Sequence, residues 1–581
     1  MKLFKKVLVL TALTLIVTSC GTDRTREQKV SAMMSKIDSP FFVANMNLQN
    51  LMDKSEIMKE GTIPFTYMEV LGFFLKAEVT GIDYSTDVQV IVGEGESFTP
   101  NFYGIFKVGD QEKFTDLMET EANAEIKEKD GINYAIKESE MYCVVWDEDI
   151  AIISNIPINL MAMLSGGGDE GQKMVDKNIE VLKASEEGEI DEEWEKFLGK
   201  DADIAMRYDG VGFYDYYEMM QMGEDEVEGM EDMIKGMAYD VFVNFENGSM
   251  EMEMVADLSE DLLAQLSFIP QEGVSSEMLS YGKTENPLMA GSLGFETNGA
   301  MDYFKEQSEF EYDKMMGEAE ELGLSVEDLK KSMNGDIVWM VDGIRTKVEM
   351  IDFGYGESFE SKETEPISAF VIGLDDASYI KTKMSEMLEL SMSGEASDED
   401  LDLPEMEVWE NGVVKIDAAM IYLSDNALFA SNDTAWVNMI AAGEGKKINN
   451  PDGVINAKPF GMYIDISKFA SEEELNEMPE QYRNLSEDMT FSFDIKGGRI
   501  VMNMRDKSQN ALKVLTEAIG SALSDFEKMS NPSMEAELEQ AVQDTEDAFN
   551  DLENDLNEAL DDINLDEVED AINDAFDDLN K

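Results

Sequence analysis

Histidine is absent from all 581 residues of the chain, and cysteine occurs only twice. The first absence removes the commonest general base and the commonest zinc ligand. Ser-His-Asp and Cys-His nucleophiles and HExxH metalloprotease sites are therefore excluded. Carboxylate, lysine and tyrosine chemistry survives, but among 125 acidic residues a pair of carboxylates carries almost no information. Positive charge is scarce as well: 45 basic residues leave a net charge of −80. Such a surface repels nucleic acid, so no nucleic-acid partner is expected. It suits a saline habitat, divalent cations or a cationic partner. EF-hand, P-loop and dinucleotide fingerprints are missing too, and no cofactor is expected.

Long apolar runs are also lacking. The run from Val7 to Val17 has 11 residues, too few to span a bilayer as a helix. Lys2, Lys5 and Lys6 precede it, the layout of a signal peptide over residues 1–19. It closes on Val17, Thr18, Ser19 and Cys20, which resemble a bacterial lipobox. The resemblance implies diacylglycerol on the Cys20 thiol, cleavage before Cys20 and acylation of the freed amine. Two or three acyl chains anchor stably where one does not. The expected location is the cell envelope, as an outer-membrane lipoprotein held to the membrane by its lipid. No strongly acidic cluster directly follows Cys20, so the periplasmic and surface faces both stay open. Residues 20–38 read as a polar tether. With Cys20 lipidated, Cys143 in "MYCVVWDEDIAII" has no disulfide partner and reads as a buried thiol.

A long internal period organises the rest. "SPFFVANMNL" from Ser39 matches "NPLMAGSLGF" from Asn286, and "YGIFKVGDQEKFTDLMETE" from Tyr103 matches "FVIGLDDASYIKTKMSEML" from Phe370. "YCVVWDEDIAIISN" from Tyr142 matches "IYLSDNALFASN" from Ile421, and "DADIAMRYDGVGFYDYYE" from Asp201 matches "AKPFGMYIDISKF" from Ala457. "VFVNFENGSMEMEM" from Val241 matches "FSFDIKGGRIVMNM" from Phe491. Alternation about Asn247-Gly248 predicts a hairpin, with its counterpart turning at Gly497-Gly498. "EKFTDLMETE" and "SYIKTKMSEMLEL" have helical spacing. The expectation is two tandem related α+β domains, 39–275 and 286–530. Each would be a largely antiparallel sheet with helices on one face. Segments from Ser165, Gly354 and Ser393 read as surface loops.

Residues 534–581 form an acidic tail with 19 acidic residues and one basic. Leu538, Val542, Phe549, Leu552, Leu556, Ala559 and Ile563 nevertheless make a helical stripe, which resumes at Val568. Two acidic amphipathic helices are expected there, against a disordered tail as the competing reading.

Three motifs point toward chemistry. Ser378 and Lys381 form an S-x-x-K, Ser424-Asp425-Asn426 an S-D-N, and Lys496-Gly497-Gly498 departs from K-T-G by one residue. In that order they resemble the serine penicillin-binding proteins, with Ser378 as nucleophile and Lys381 as its base. The repeat supplies a control. Glu112 and Thr115 stand where Ser378 and Lys381 are, Asp147-Glu148-Asp149 where the S-D-N is, and Glu246-Asn247-Gly248 where the K-G-G is. These are positions that accept polar residues, so no catalytic residue is assigned. The 43 methionines, with "EMMQM" at 218–222 and "MEMEM" at 250–254, raise a copper or divalent-cation reading. In a strand, "MEMEM" puts Met on one face and Glu on the other, as a core strand should, and no metal ligand is assigned.

The lipobox, the strand "SPFFVANMNLQNLM" opening the mature domain, and the paired "ALFASN" and "AIISN" hairpins together resemble a Bacteroidota envelope lipoprotein family catalogued as domain of unknown function 4836. The resemblance covers the mature chain to about residue 530 and brings no activity with it. The first functional expectation is a lipid-anchored, non-enzymatic envelope protein that binds a protein or cell-surface polymer. The alternatives are a serine acyl-transfer enzyme and a metal buffer.

Overall fold

A computed structural model describes residues 24–57, 80–95, 99–120, 122–157, 170–219, 234–308, 312–317, 324–352, 358–393, 406–408, 412–416, 419–469 and 485–529. Contacts divide the chain into one compact unit, Met1–Thr62 with Thr66–Ala518, and a second, Ile63–Phe65 with Ile519–Lys581. Of the second unit, the described part is the end of a helix, Ala511–Met529. The acidic tail and the lipobox lie outside the described residues.

The first unit is α+β and is built on one large antiparallel sheet. Ten strands come from its first half: β1 (Phe42–Met46), β2 (Val88–Gly93), β3 (Asn101–Lys107), β4 (Lys127–Lys129), β5 (Ile132–Lys137), β6 (Tyr142–Trp146), β7 (Ile150–Asn155), β8 (Ile204–Asp209), β9 (Met237–Glu246) and β10 (Ser249–Leu258). They pair in the order β4-β5-β6-β7-β3-β2-β1-β8-β9-β10. Ten more follow: β11 (Met289–Gly294), β12 (Met333–Asp352), β13 (Ser358–Leu374), β14 (Met406–Val408), β15 (Val413–Ile416), β16 (Ala419–Leu423), β17 (Ala427–Ser431), β18 (Phe460–Ile464), β19 (Ser486–Asp494) and β20 (Gly497–Met504). Their order is β14-β15-β16-β17-β13-β12-β11-β18-β19-β20. The last strands of the two halves, β10 and β20, pair from Ser249↔Asn503 to Val255↔Gly497.

That pairing joins the sheets of the two halves edge to edge. Each half ends in an edge strand whose backbone donors and acceptors need partners. Each edge satisfies the other, and the two sheets become one.

Helices cover both faces of the first half, not one. Side chains alternate along a strand, and both sets are apolar here. Cys143, Val145 and Ile152 join one core with Val30 and Met33 of helix α1 (Arg26–Met34). Val144, Trp146 and Ala151 join another with Phe114 and Met118 of helix α2 (Gln111–Thr120). Helix α3 (Glu170–Glu187) adds Val175, Ile179 and Leu182 to the first core.

Helix α1 lies within the segment read as a polar tether. Thr25 and Gln28 cap it reciprocally. Val30, Met33, Met34 and Ile37, at spacings of three, four and seven, enter the core. The basic and hydroxyl residues between them mask this stripe in the composition. Two further corrections concern strands. Residues 358–366, expected in a surface loop, belong to β13, where a polar sequence is held by its backbone ladder to β12. The β19/β20 turn lies at Ile495-Lys496, between the Asp494↔Gly497 pair, not at Gly497-Gly498. Gly497 opens β20 at φ +116°, a conformation that a side chain disfavours.

Candidate functional site

An apolar cleft lies among the described residues of the first unit. Its near wall is the β9/β10 hairpin, whose Asn247-Gly248 turn sets the register. Leu258 sits opposite Met237, and Ala256 opposite Tyr239. With Met254 these residues fall on one face of the hairpin. The far wall is a cross-strand row, Leu293 of β11, Phe460 of β18 and Phe493 of β19. The Phe460 and Phe493 rings lie 6.2 Å apart. Leu266 and Phe268 close one side of a space of about 560 Å³. The polar groups at its border are already engaged. The Tyr239 hydroxyl donates to Met237 Sδ at 2.9 Å. Asp494 accepts from the Lys458 ammonium and from the Lys496 backbone N–H. The cleft can hold an apolar molecule and offers it no nucleophile.

"MEMEM" behaves as its alternation implies. Met250 and Met252 pack with Phe245, Met502 and Met504 in a core, while Met254 reaches the cleft. The intervening Glu251 pairs with Arg499 at 2.7 Å and Glu253 with Lys200 at 3.2 Å. The run "EMMQM" ends among residues outside the described set. No group of three or more Cys, Asp and Glu that could hold a metal occurs among the described residues.

The acyl-transfer motifs are partly brought together. Ser378 and Lys381 sit on helix α4 (Ser378–Ser393), and Ser424-Asp425-Asn426 is the β16/β17 turn. Lys381 Nζ donates to Asp425 Oδ1 at 2.5 Å. The Ser378 hydroxyl instead donates to Asp376 Oδ1 at 2.5 Å. Asp425 is 98% exposed, so this pair stands on the surface and not in a cleft. Ser424 and Asn426 bond to each other and to Tyr281, which fixes the turn.

Cys143 is fully buried on β6. Its Sγ lies 3.4 Å from the Ser154 hydroxyl, and Asn178 Nδ2 donates to it at 3.5 Å. Burial pushes the thiol up to about 11, which leaves it protonated and unreactive at neutral pH. Its counterpart in the second half, Met420, is buried as well and pairs with Ser431 as Cys143 pairs with Ser154. Cys20, Val17, Thr18 and Ser19 lie outside the described residues. Sequence reasoning missed the cleft, because alternation marks its walls as strands without saying which strands face one another.

No family model matches the chain, and no curated protein matches it. Among solved structures, crystal form III of TP0453 aligns with 43% of this chain and 90% of its own, at 10% identity and a TM-score of 0.25. Crystal form IV of TP0453 aligns with 39% and 83%, at 9% identity and a TM-score of 0.24. Scores this low do not establish a shared fold.

Proposed function

We propose that the protein is a lipid-anchored bacterial cell-envelope protein with a non-enzymatic role, and that it holds an apolar molecule in the cleft walled by β9, β10, β11, β18 and β19. The single observation that carries the binding role is the cleft itself. Its volume falls in the range of about 300–1,000 Å³ typical of small-molecule sites, and its lining is apolar and aromatic. An acyl chain is the apolar molecule a membrane-anchored protein meets most often. The envelope location rests on Lys2 to Cys20 and on the resemblance to Bacteroidota envelope lipoproteins. The non-enzymatic reading is supported by the surface position of the Lys381–Asp425 pair and by the engagement of Ser378 with Asp376.

We also infer that the chain is a tandem duplication. Ten strands in each half pair in the same order, and the five sequence matches fall on corresponding strands and helices. The acidic tail, residues 534–581, belongs to this reading as a segment outside the repeat.

The cleft is tested with laurate and with N-phenyl-1-naphthylamine, whose fluorescence rises in apolar surroundings. Wild-type protein should bind both. Ala256→Trp, which fills the space beside Met254 and Leu258, should weaken binding at least about tenfold, a loss of about 1.4 kcal/mol, with thermal stability retained. Equal binding by the variant would place the site elsewhere, and no binding by wild type would remove the reading. The anchor has its own test. Cys20→Ala should leave an uncleaved precursor that takes up no labelled palmitate in cells, and a labelled mutant would contradict it.

A further inference from the structure

Arg24 stands four positions after Cys20 and is already docked on the folded body. Its Nη1 donates to the Ser185 carbonyl at 3.0 Å and to the Ala184 carbonyl at 3.4 Å. Its Nη2 donates to the Gly188 carbonyl at 2.8 Å. These carbonyls lie at the close of helix α3, where the last turn lacks intrahelical donors and a cation is favoured.

The residues that follow leave no slack. Thr25 and Gln28 cap helix α1, and Gln28 Nε2 donates to Glu195 Oε1 at 3.0 Å. The Ser31 hydroxyl donates to the Asp191 carbonyl at 2.7 Å and accepts from the Asp191 N–H at 2.9 Å. These bonds tie α1 to the helix Glu192–Leu198. Val30 and Met33, further along α1, are fully buried. The segment expected as a tether over residues 20–38 is therefore part of the fold from Arg24 onward, and only residues 21–23 remain between the lipobox cysteine and the body.

Four residues reach at most about 14 Å when fully extended. A lipidated Cys20 lies at the level of the headgroups, so Arg24 and Gly188 stay within that reach of the bilayer. We propose that the end of the body formed by Arg24, the close of α3 and the helix Glu192–Leu198 rests against a surface of zwitterionic lipid headgroups. The proposal depends on the Cys20 anchor proposed above. The choice of headgroup follows from charge. Glu187, Glu189 and Glu192 are exposed at this end. An anionic leaflet repels them, whereas a zwitterionic headgroup carries no net charge. The acyl chains supply the attachment, and the short link sets the distance. A body held in this way samples the membrane surface and not the depth of the envelope.

The test uses the lipidated full chain carrying Glu187→Cys, labelled with a donor dye. Cys143 is buried and takes no label, and the Cys20 thiol is blocked by its lipid. The vesicles are of phosphatidylethanolamine and phosphatidylcholine with a trace of acceptor-labelled lipid. Co-sedimentation comes first: protein that stays off the vesicles refutes the anchor itself, and this proposal with it. On bound protein, energy transfer should be strong. A Gly/Ser insertion of about 20 residues after Gly21 adds about 25 Å of root-mean-square reach and should at least halve the transfer. Equal transfer with and without the insertion overturns the proposal, because the short link would then not set the distance. Exchanging phosphatidylethanolamine for phosphatidylglycerol should lower the transfer of the chain without the insertion. An equal or larger signal on phosphatidylglycerol overturns the assignment to zwitterionic headgroups.

Discussion

Replacing Asp203 by alanine should destabilise the first unit by about 3–5 kcal/mol, the loss typical of breaking a buried, hydrogen-bonded ion pair. Asp203 is 1% exposed and immediately precedes β8. Its carboxylate accepts from Lys54 Nζ at 2.6 Å, from Asn50 Nδ2 at 2.6 Å and from the Phe245 backbone N–H at 2.7 Å. Its own N–H donates to the Val243 carbonyl at 3.1 Å. One side chain thereby ties β8, β9 and the helix Leu48–Ser55 together. Alanine removes the acceptor and leaves an amide, an ammonium and a backbone N–H short of a partner. Asp203→Asn keeps an acceptor of the same shape and should lose less. Urea unfolding followed by circular dichroism reads the effect, and a loss below about 1 kcal/mol, the range of ordinary surface changes, would show that Asp203 does not hold these elements.

The second large effect is expected at Trp436, in the second half of the sheet. Trp436→Ala should cost about 3–5 kcal/mol through the cavity it leaves. The side chain is 1% exposed and packs 5.8 Å from the Phe429 ring, which stacks in turn on Tyr281. Its indole N–H donates to the Tyr281 carbonyl at 2.9 Å. The Asp433 carboxylate caps its backbone N–H and so starts the helix Thr434–Ala441. Trp436→Phe retains most of the volume but drops the indole donor, and should cost roughly 1–3 kcal/mol for the stranded carbonyl and smaller ring. Equal losses for Phe and Ala would show that the indole hydrogen bond, and not packing, dominates here. A negligible loss for Ala would contradict the core assignment itself.

The parts of this fold that were legible in the sequence are those set by local chemistry. Asn247-Gly248 between two alternating runs announced the β9/β10 hairpin, because glycine tolerates the turn and alternation sets the faces. The spacing of Phe114 and Met118 announced α2. Cys143, among β-branched and aromatic neighbours, announced a buried thiol. Helix α1 was hidden for an equally local reason. Its core residues Val30, Met33, Met34 and Ile37 are diluted by arginine, lysine, serine and glutamine, so the composition pointed to a tether and hid the helical stripe. Residues 358–366 escaped because a polar strand paired to a long partner takes its stability from the backbone ladder, which side-chain patterns do not display.

By itself the sequence determined what needs no partner in space. The lack of histidine closed off whole classes of catalysis, the charge of −80 argued against nucleic acid, and the alternating and helical runs named several of the elements. Only the tertiary structure decided which of those elements meet. Backbone donors and acceptors are alike in every residue, so nothing in the letters says that β10 completes the sheet by pairing with β20. That pairing makes one sheet of two and brings Met254, Ala256 and Leu258 across from Leu293, Phe460 and Phe493 to form the cleft. The same holds for Arg26. Its sequence context is a charged residue in a polar stretch, and its bond to Gln89 of β2 follows only from the packing of α1 against strands far along the chain.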